Sequence, residues 1–178
     1  MRRLSRLALL LAISLVALVL VLPACSSGKA SAQEEGYSAG NLAPGFGLQN
    51  LAGETVSLND FRGRPVLINF WASWCPPCRA EMPLIQQLYE NKDVAGKGLA
   101  ILAIDIGEKP DVVEQFIKGN GLTFPVLLDS QQIVAEKYNV GGIPTTFFID
   151  KDGIIKDVRV GAFSSETQII IGLRKILP

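Results

Sequence analysis

Two cysteines separated by two prolines, Trp74-Cys75-Pro76-Pro77-Cys78, directly follow the apolar run Val66 to Trp71, and that order constrains the chain more than any other feature. A short apolar run reads as a buried strand, and proline suits the first turn of a helix. The thiols therefore stand where a strand hands over to a helix. The first backbone N–H groups there lack partners and the helix dipole favours an anion, which stabilises a Cys75 thiolate near neutral pH. Cys78, three residues on, lies on the adjoining turn, close enough to close a disulfide.

A four-residue ring restrains the unfolded chain by only about 2 kcal/mol, against about 4 to 5 for a ring of a hundred residues, so the pair is a poor structural staple. Reversible exchange is the better reading. A zinc site needs about four ligands, and the chain has no histidine and one other cysteine, Cys25. Neither a metal nor a cofactor is expected. The absence of histidine also excludes a Cys–His pair and a Ser–His–Asp triad, leaving carboxylates, lysine, tyrosine or thiols as acids and bases.

Arg2, Arg3 and Arg6 followed by the apolar stretch Leu7 to Leu22 read as an export signal. The expected organisation is a signal peptide or membrane anchor over residues 1–24, a flexible tether over 25–40 and one domain over 41–178. Leu22-Pro23-Ala24-Cys25 resembles a bacterial lipobox with an unusual Pro23, which makes Cys25 the candidate for lipidation. A cleaved soluble form and an uncleaved anchor are the alternatives, since the charge-free stretch approaches the roughly 20 residues that span a bilayer. All three put the domain outside the cytoplasm. Without the three early arginines, 14 basic residues face 17 acidic ones, which argues against a nucleic-acid partner.

Along the domain, Phe46 to Leu51 and Thr55 to Leu58 read as a hairpin around Ala52-Gly53, followed by a one-turn helix at Asn59 to Arg62. Val66 to Ala72 is a buried strand, and Pro76 to about Asn91 is the helix carrying the thiols, with Pro83 expected to kink it. A strand at Gly98 to Ile106, a helix at Pro110 to Gly119 and a short strand at Pro125 to Leu128 complete a βαβαβ pattern. A short helix at Gln131 to Tyr138, a hairpin of Thr145 to Ile149 with Ile154 to Val160, and a helix at Thr167 to Leu177 end the chain. The expected fold is a three-layer α/β domain with a mixed sheet. Phe147-Phe148 and Ile169 to Ile171 read as core, while Trp71 and Trp74 flank the thiols, each able to shield them.

Three motifs in order carry a family resemblance: Gly53-Glu54-Thr55-Val56-Ser57-Leu58, then Asn69-Phe70-Trp71-Ala72-Ser73-Trp74-Cys75-Pro76-Pro77-Cys78, then Gly142-Ile143-Pro144-Thr145-Thr146-Phe147. The chain resembles the membrane-tethered thioredoxin-like proteins of the TlpA and ResA type, from Ala43-Pro44 to the C-terminal helix. The resemblance implies a thioredoxin-like fold with a strand and helix inserted at about Pro110 to Leu128. It also implies a cis Pro144 packed beside the thiols, with the Ile143 backbone free to pair with a substrate strand. Trp74 and Pro76, beside the cysteines, join Ile143 and Pro144 as substrate-binding candidates.

Asn69 stands where thioredoxin, similar here, carries a buried aspartate. Glu81, three residues past Cys78, is then the candidate to exchange its proton, as a matching glutamate does in the ResA type; a solvated acid near a helix N-terminus is the plainer alternative. In the expected mechanism Cys75 attacks a client disulfide and Cys78 resolves the mixed disulfide. The resemblance implies exported clients such as apocytochrome c and a membrane thiol electron donor. Pro76-Pro77 leaves direction open, so an oxidant or isomerase is an alternative. A peroxiredoxin-like peroxidase is a weaker one, because Ala72 occupies the place of the usual Thr or Ser. A non-enzymatic module holding extended peptides through Ile143-Pro144 is another.

Overall fold

The computed structural model describes residues 33–177. The signal or anchor, the lipidation candidate Cys25 and the first part of the tether lie outside the described residues. The part of the tether from Glu34 to Gly40 is folded onto the domain: Leu42 donates its amide to the Glu34 carbonyl, Gly36 to Leu42, and Gly40 to Ile155. Composition alone hides this order, because backbone groups make the bonds.

The described residues form seven strands and five helices: β1 Gly47–Asn50, β2 Thr55–Ser57, β3 Val66–Trp71, α1 Pro76–Glu90, α2 Lys92–Gly96, β4 Ala100–Ile106, α3 Pro110–Gly119, β5 Val126–Asp129, α4 Ile133–Lys137, β6 Thr145–Ile149, β7 Ile155–Val160 and α5 Glu166–Leu173. A 3-10 turn at Leu58–Phe61 carries a capping box between Ser57 and Asp60. The sheet runs β2-β1-β5-β4-β3-β6-β7. β3, β4 and β5 are mutually parallel; the hairpin β1–β2 and the pair β6–β7 are antiparallel additions on either side. The inserted β5 thus lies between β4 and the N-terminal hairpin.

All six residues of β3 are buried, because both of its faces are covered. Leu67 and Trp71 point into one layer, with Met82 and Ile85 of α1, Val113 and Ile117 of α3, and Ile169 and Leu173 of α5. Val66, Ile68 and Phe70 point into the other, with Ala43, Phe46, Val134 and Tyr138. Period-two alternation then sends Asn69 to the α1 side.

Three details differ from the sequence reading. α1 runs through Pro83 to Glu90, close to its expected extent, but Asn91, which ends it, also caps α2, an unforeseen helix, by accepting the Asp93 and Val94 amides. α5 stops at Leu173, four residues early, in a turn over Arg174 to Ile176. Ile169 is buried but Ile171 is 54 % exposed, because residues two apart on a helix lie on different faces.

Candidate redox site

Cys75 is the N-cap of α1, and Pro76 and Pro77 fill the next two positions. Neither proline has an amide proton, so two of the free donors expected at this helix tip are missing. The Cys78 amide is the donor that remains, and it points at Cys75 Sγ from 3.2 Å. The two cysteines form a disulfide with their Cα atoms 5.3 Å apart. Cys78 is fully buried and Cys75 almost so.

The loop before β6 completes the rim. The Ile143-Pro144 bond is cis, as the resemblance implied. Cys75 Sγ lies 3.7 Å from the Ile143 carbonyl oxygen, and the Thr145 hydroxyl donates to the Gly142 carbonyl at 2.7 Å, bracing the loop. Trp74 is 65 % exposed and Pro76 is exposed, whereas Ile143 is half-buried and Pro144 buried. Trp74, next to Cys75 in the chain, thus presents its ring to solvent. Trp71, the other candidate shield, is core: it is fully buried with its ring 5.3 Å from that of Phe116.

Glu81 is fully buried, which removes the solvated-acid alternative. Asn69 donates its Nδ2 to Glu81 Oε1 at 2.9 Å, and the Phe163 amide donates to Oε2 at 2.8 Å. Burial pushes the Glu81 carboxyl above its ordinary range, while the Phe163 amide, the Asn69 amide and the Arg159 charge oppose it. The Asn69 Oδ1 atom is buried and takes no hydrogen bond. Turning the amide would offer that oxygen to a protonated Glu81, so Asn69 can serve either charge state of the acid. Cys78 and Glu81 are thus both buried, three residues apart on one face of α1.

Phe163 and its support were not read from the sequence. Arg159 Nη2 donates to the Ala162 carbonyl and to Gln168 Oε1, whose oxygen also accepts the Ser164 amide. That brace holds the Phe163 amide toward Glu81 across 82 residues of chain, a separation at which no local pattern signals it.

A second acid group was also missed. Asp105 on β4 is fully buried and lies in register with Trp71 on β3. Its carboxyl is pushed up to about 8, first by burial and then by Glu108, with a smaller push from Asp129. Glu108 is partly desolvated, which pushes it up, but hydrogen bonds from Asp105 and Ser73 outweigh that and hold it below its ordinary value. Burial and the neighbouring Glu108 thus favour the protonated form of Asp105. A lone acid within the apolar run Ala100 to Ile106 was the available signal.

With this geometry in place, relatives give the chain its family. The AhpC/TSA family matches residues 39–158. Thiol-disulfide oxidoreductase ResA from Geobacillus kaustophilus is 42% identical over 134 residues, 75% of this chain and 76% of that protein. The crystal structure of StoA from Bacillus subtilis superposes with a TM-score of 0.62 at 30% identity, covering 73% of this chain and 96% of that one. A thiol:disulfide interchange protein of the thioredoxin family from Chlorobium tepidum TLS gives 0.67 at 30% identity, covering 76% and 95%. A dithiol at a helix tip beside a cis proline, on this sheet and among these relatives, identifies the chain as a member of the AhpC/TSA family and a thioredoxin-like thiol-disulfide oxidoreductase of the ResA type.

Proposed function

We propose that this oxidoreductase works at the extracytoplasmic face of the cell membrane, held there by its N-terminus through a lipid on Cys25, and reduces disulfides in exported client proteins such as apocytochrome c. The observation that carries the reading is the placement of Cys75 Sγ at 3.7 Å from the Ile143 carbonyl, next to the exposed Trp74 in the chain, where an extended client strand can lie against the Ile143 backbone. The relatives named ResA and StoA support it, as does the arginine-led apolar N-terminus.

The chemistry begins from the reduced dithiol. The Cys75 thiolate attacks one client sulfur; the client disulfide breaks, a Cys75–client disulfide forms, and the departing client thiolate takes a proton. Glu81 accepts the Cys78 proton, and Cys78 then attacks Cys75 Sγ. The second client thiolate leaves and takes the proton held by Glu81, so the client gains two electrons, that proton and one from solvent, while the enzyme retains the disulfide. A membrane thiol donor returns those electrons.

Trapping tests the reading. In cells expressing the full chain with Cys78→Ala, Cys75 is expected to accumulate disulfide-linked adducts that dissolve under reductant. Adducts made of cysteine-bearing exported proteins support the proposal, and enrichment of apocytochrome c identifies that client. No adduct above the level of a Cys75→Ala, Cys78→Ala control would overturn it.

A further inference from the structure

We propose that Asp105 is a positioning residue for the redox loop: it donates its carboxyl proton to Glu108, and Glu108 holds Ser73, two residues ahead of Cys75. The inference rests on the thiol-disulfide exchange reading of the site, and it adds a group outside the set formed by the two cysteines and Glu81.

The contacts form a chain from strand to thiol. Glu108 Oε2 accepts the Ser73 amide at 2.5 Å and Oε1 accepts the Ser73 hydroxyl at 2.7 Å, a two-point grip across 35 residues of sequence. Glu108 reaches this position because Gly107, at φ 76°, turns the chain back over the end of β4. The Ser130 hydroxyl secures the Glu108 carbonyl at 2.8 Å, and the Gly107 amide bonds to the Asp129 carbonyl at 3.1 Å. Behind Glu108 stands the Asp105 carboxyl, fully buried. Among the described residues both Asp105 oxygens are buried without a hydrogen-bond partner, and a proton on the carboxyl, given to Glu108, would satisfy one of them.

The charged groups facing Asp105 are acids: Glu108 from the loop and Asp129 from β5, while β3 presents Trp71. A second negative charge at Asp105 would therefore meet repulsion rather than compensation. Ionising Asp105 removes the bond that anchors Glu108 and sets two carboxylates against each other. The strain falls on the Ser73 contacts and passes to Trp74 and Cys75. Proton loss from a residue that never touches substrate thus loosens the approach to the nucleophile.

The oxidised full-length protein allows a clean test. Its disulfide does not titrate and the chain has no histidine, so the Ser73 amide resonance, followed by 15N NMR from about pH 6.5 to 9.5, is expected to shift with an inflection near 8. Asp105→Asn, which keeps a donor toward Glu108, is expected to abolish the inflection. Glu108→Gln, which removes the facing charge, is expected to move it to lower pH. Glu81 is reported separately by the Phe163 amide.

A Ser73 amide that does not titrate in the wild type, or an inflection unmoved in both variants, would overturn the proposal. If Asp105→Asn fails to fold, the wild-type titration and the Glu108→Gln shift still decide. None of these readouts uses a client, so loss of the proposed reductase role would leave them intact.

Discussion

Raising the pH of the oxidised protein from about 5 to 7 is expected to destabilise it, and Asp105→Asn is expected to remove most of that loss. An unfolded aspartate titrates near 3.9, whereas folded Asp105 titrates at about 8. Between those values the unfolded chain has released the proton and the native chain still holds it. A carboxyl raised in this way contributes stability that is complete below the unfolded pKa and declines as the pH climbs toward the folded one. The slope is about 1.4 kcal/mol per pH unit for one proton, or about 3 kcal/mol over the two units. No imidazole contributes in this window, because the chain contains no histidine. Glu108, held below its ordinary value, acts only in more acid solution, and the decline due to Glu81 is common to both proteins. Urea unfolding under non-reducing conditions at pH 5, 6 and 7 measures the slope directly. Parallel lines for wild type and Asp105→Asn would refute the assignment of a buried, protonated Asp105.

Two further substitutions probe the opposite flank of β3. Glu81→Gln keeps the shape of the side chain but cannot carry the proton, so disulfide exchange is expected to slow by about 100-fold, the lower end of general acid–base contributions; a pH–rate profile identical to wild type would reject that role. Gly172→Ala would place a Cβ 2.3 to 2.6 Å from atoms of the buried Phe148 ring. Overpacking of this kind costs about 1 to 3 kcal/mol, seen as a lowered Tm, and an unchanged Tm would show that α5 can move away.

The parts of the molecule that could be read from the sequence are those whose causes are local. The junction from Val66 to Cys78 is one, because an apolar run, two prolines and a cap lie within a few residues of one another. The hairpin at Asp150 is another, since Asp150 Oδ1 accepts the amides of Asp152 and Ile154. The cis Ile143-Pro144 bond came from resemblance, because an X–Pro pair carries no local sign of its isomer. What escaped was decided by distant partners. Glu81 is buried and paired only because β6, β7 and the Phe163 loop close over α1, and its residue type permits the solvated alternative equally well. Asp105 sat inside a run read as apolar strand, and its partners come from separate loops and strands. Ile171 is an error of a different kind: three consecutive isoleucines on one helix cannot all face a single sheet.

The two buried acids answer one problem by different means. A site without histidine can move protons through carboxyls, yet a carboxylate buried beside a nascent thiolate opposes it. Glu81 meets this with neutral donors, the Asn69 amide and the Phe163 amide, so its charge can come and go without breaking an ion pair. Asp105, favoured in its protonated form, leaves the negative charge of the pair to Glu108, which holds Ser73. Asn69, between these flanks on β3, is neutral. An ionised group at that central position would face Glu81 directly and raise the cost of its ionised form. The substitution of amide for acid on the strand and the presence of Glu81 on the helix therefore belong to one arrangement, in which the exchangeable proton resides on the helix that carries the thiols.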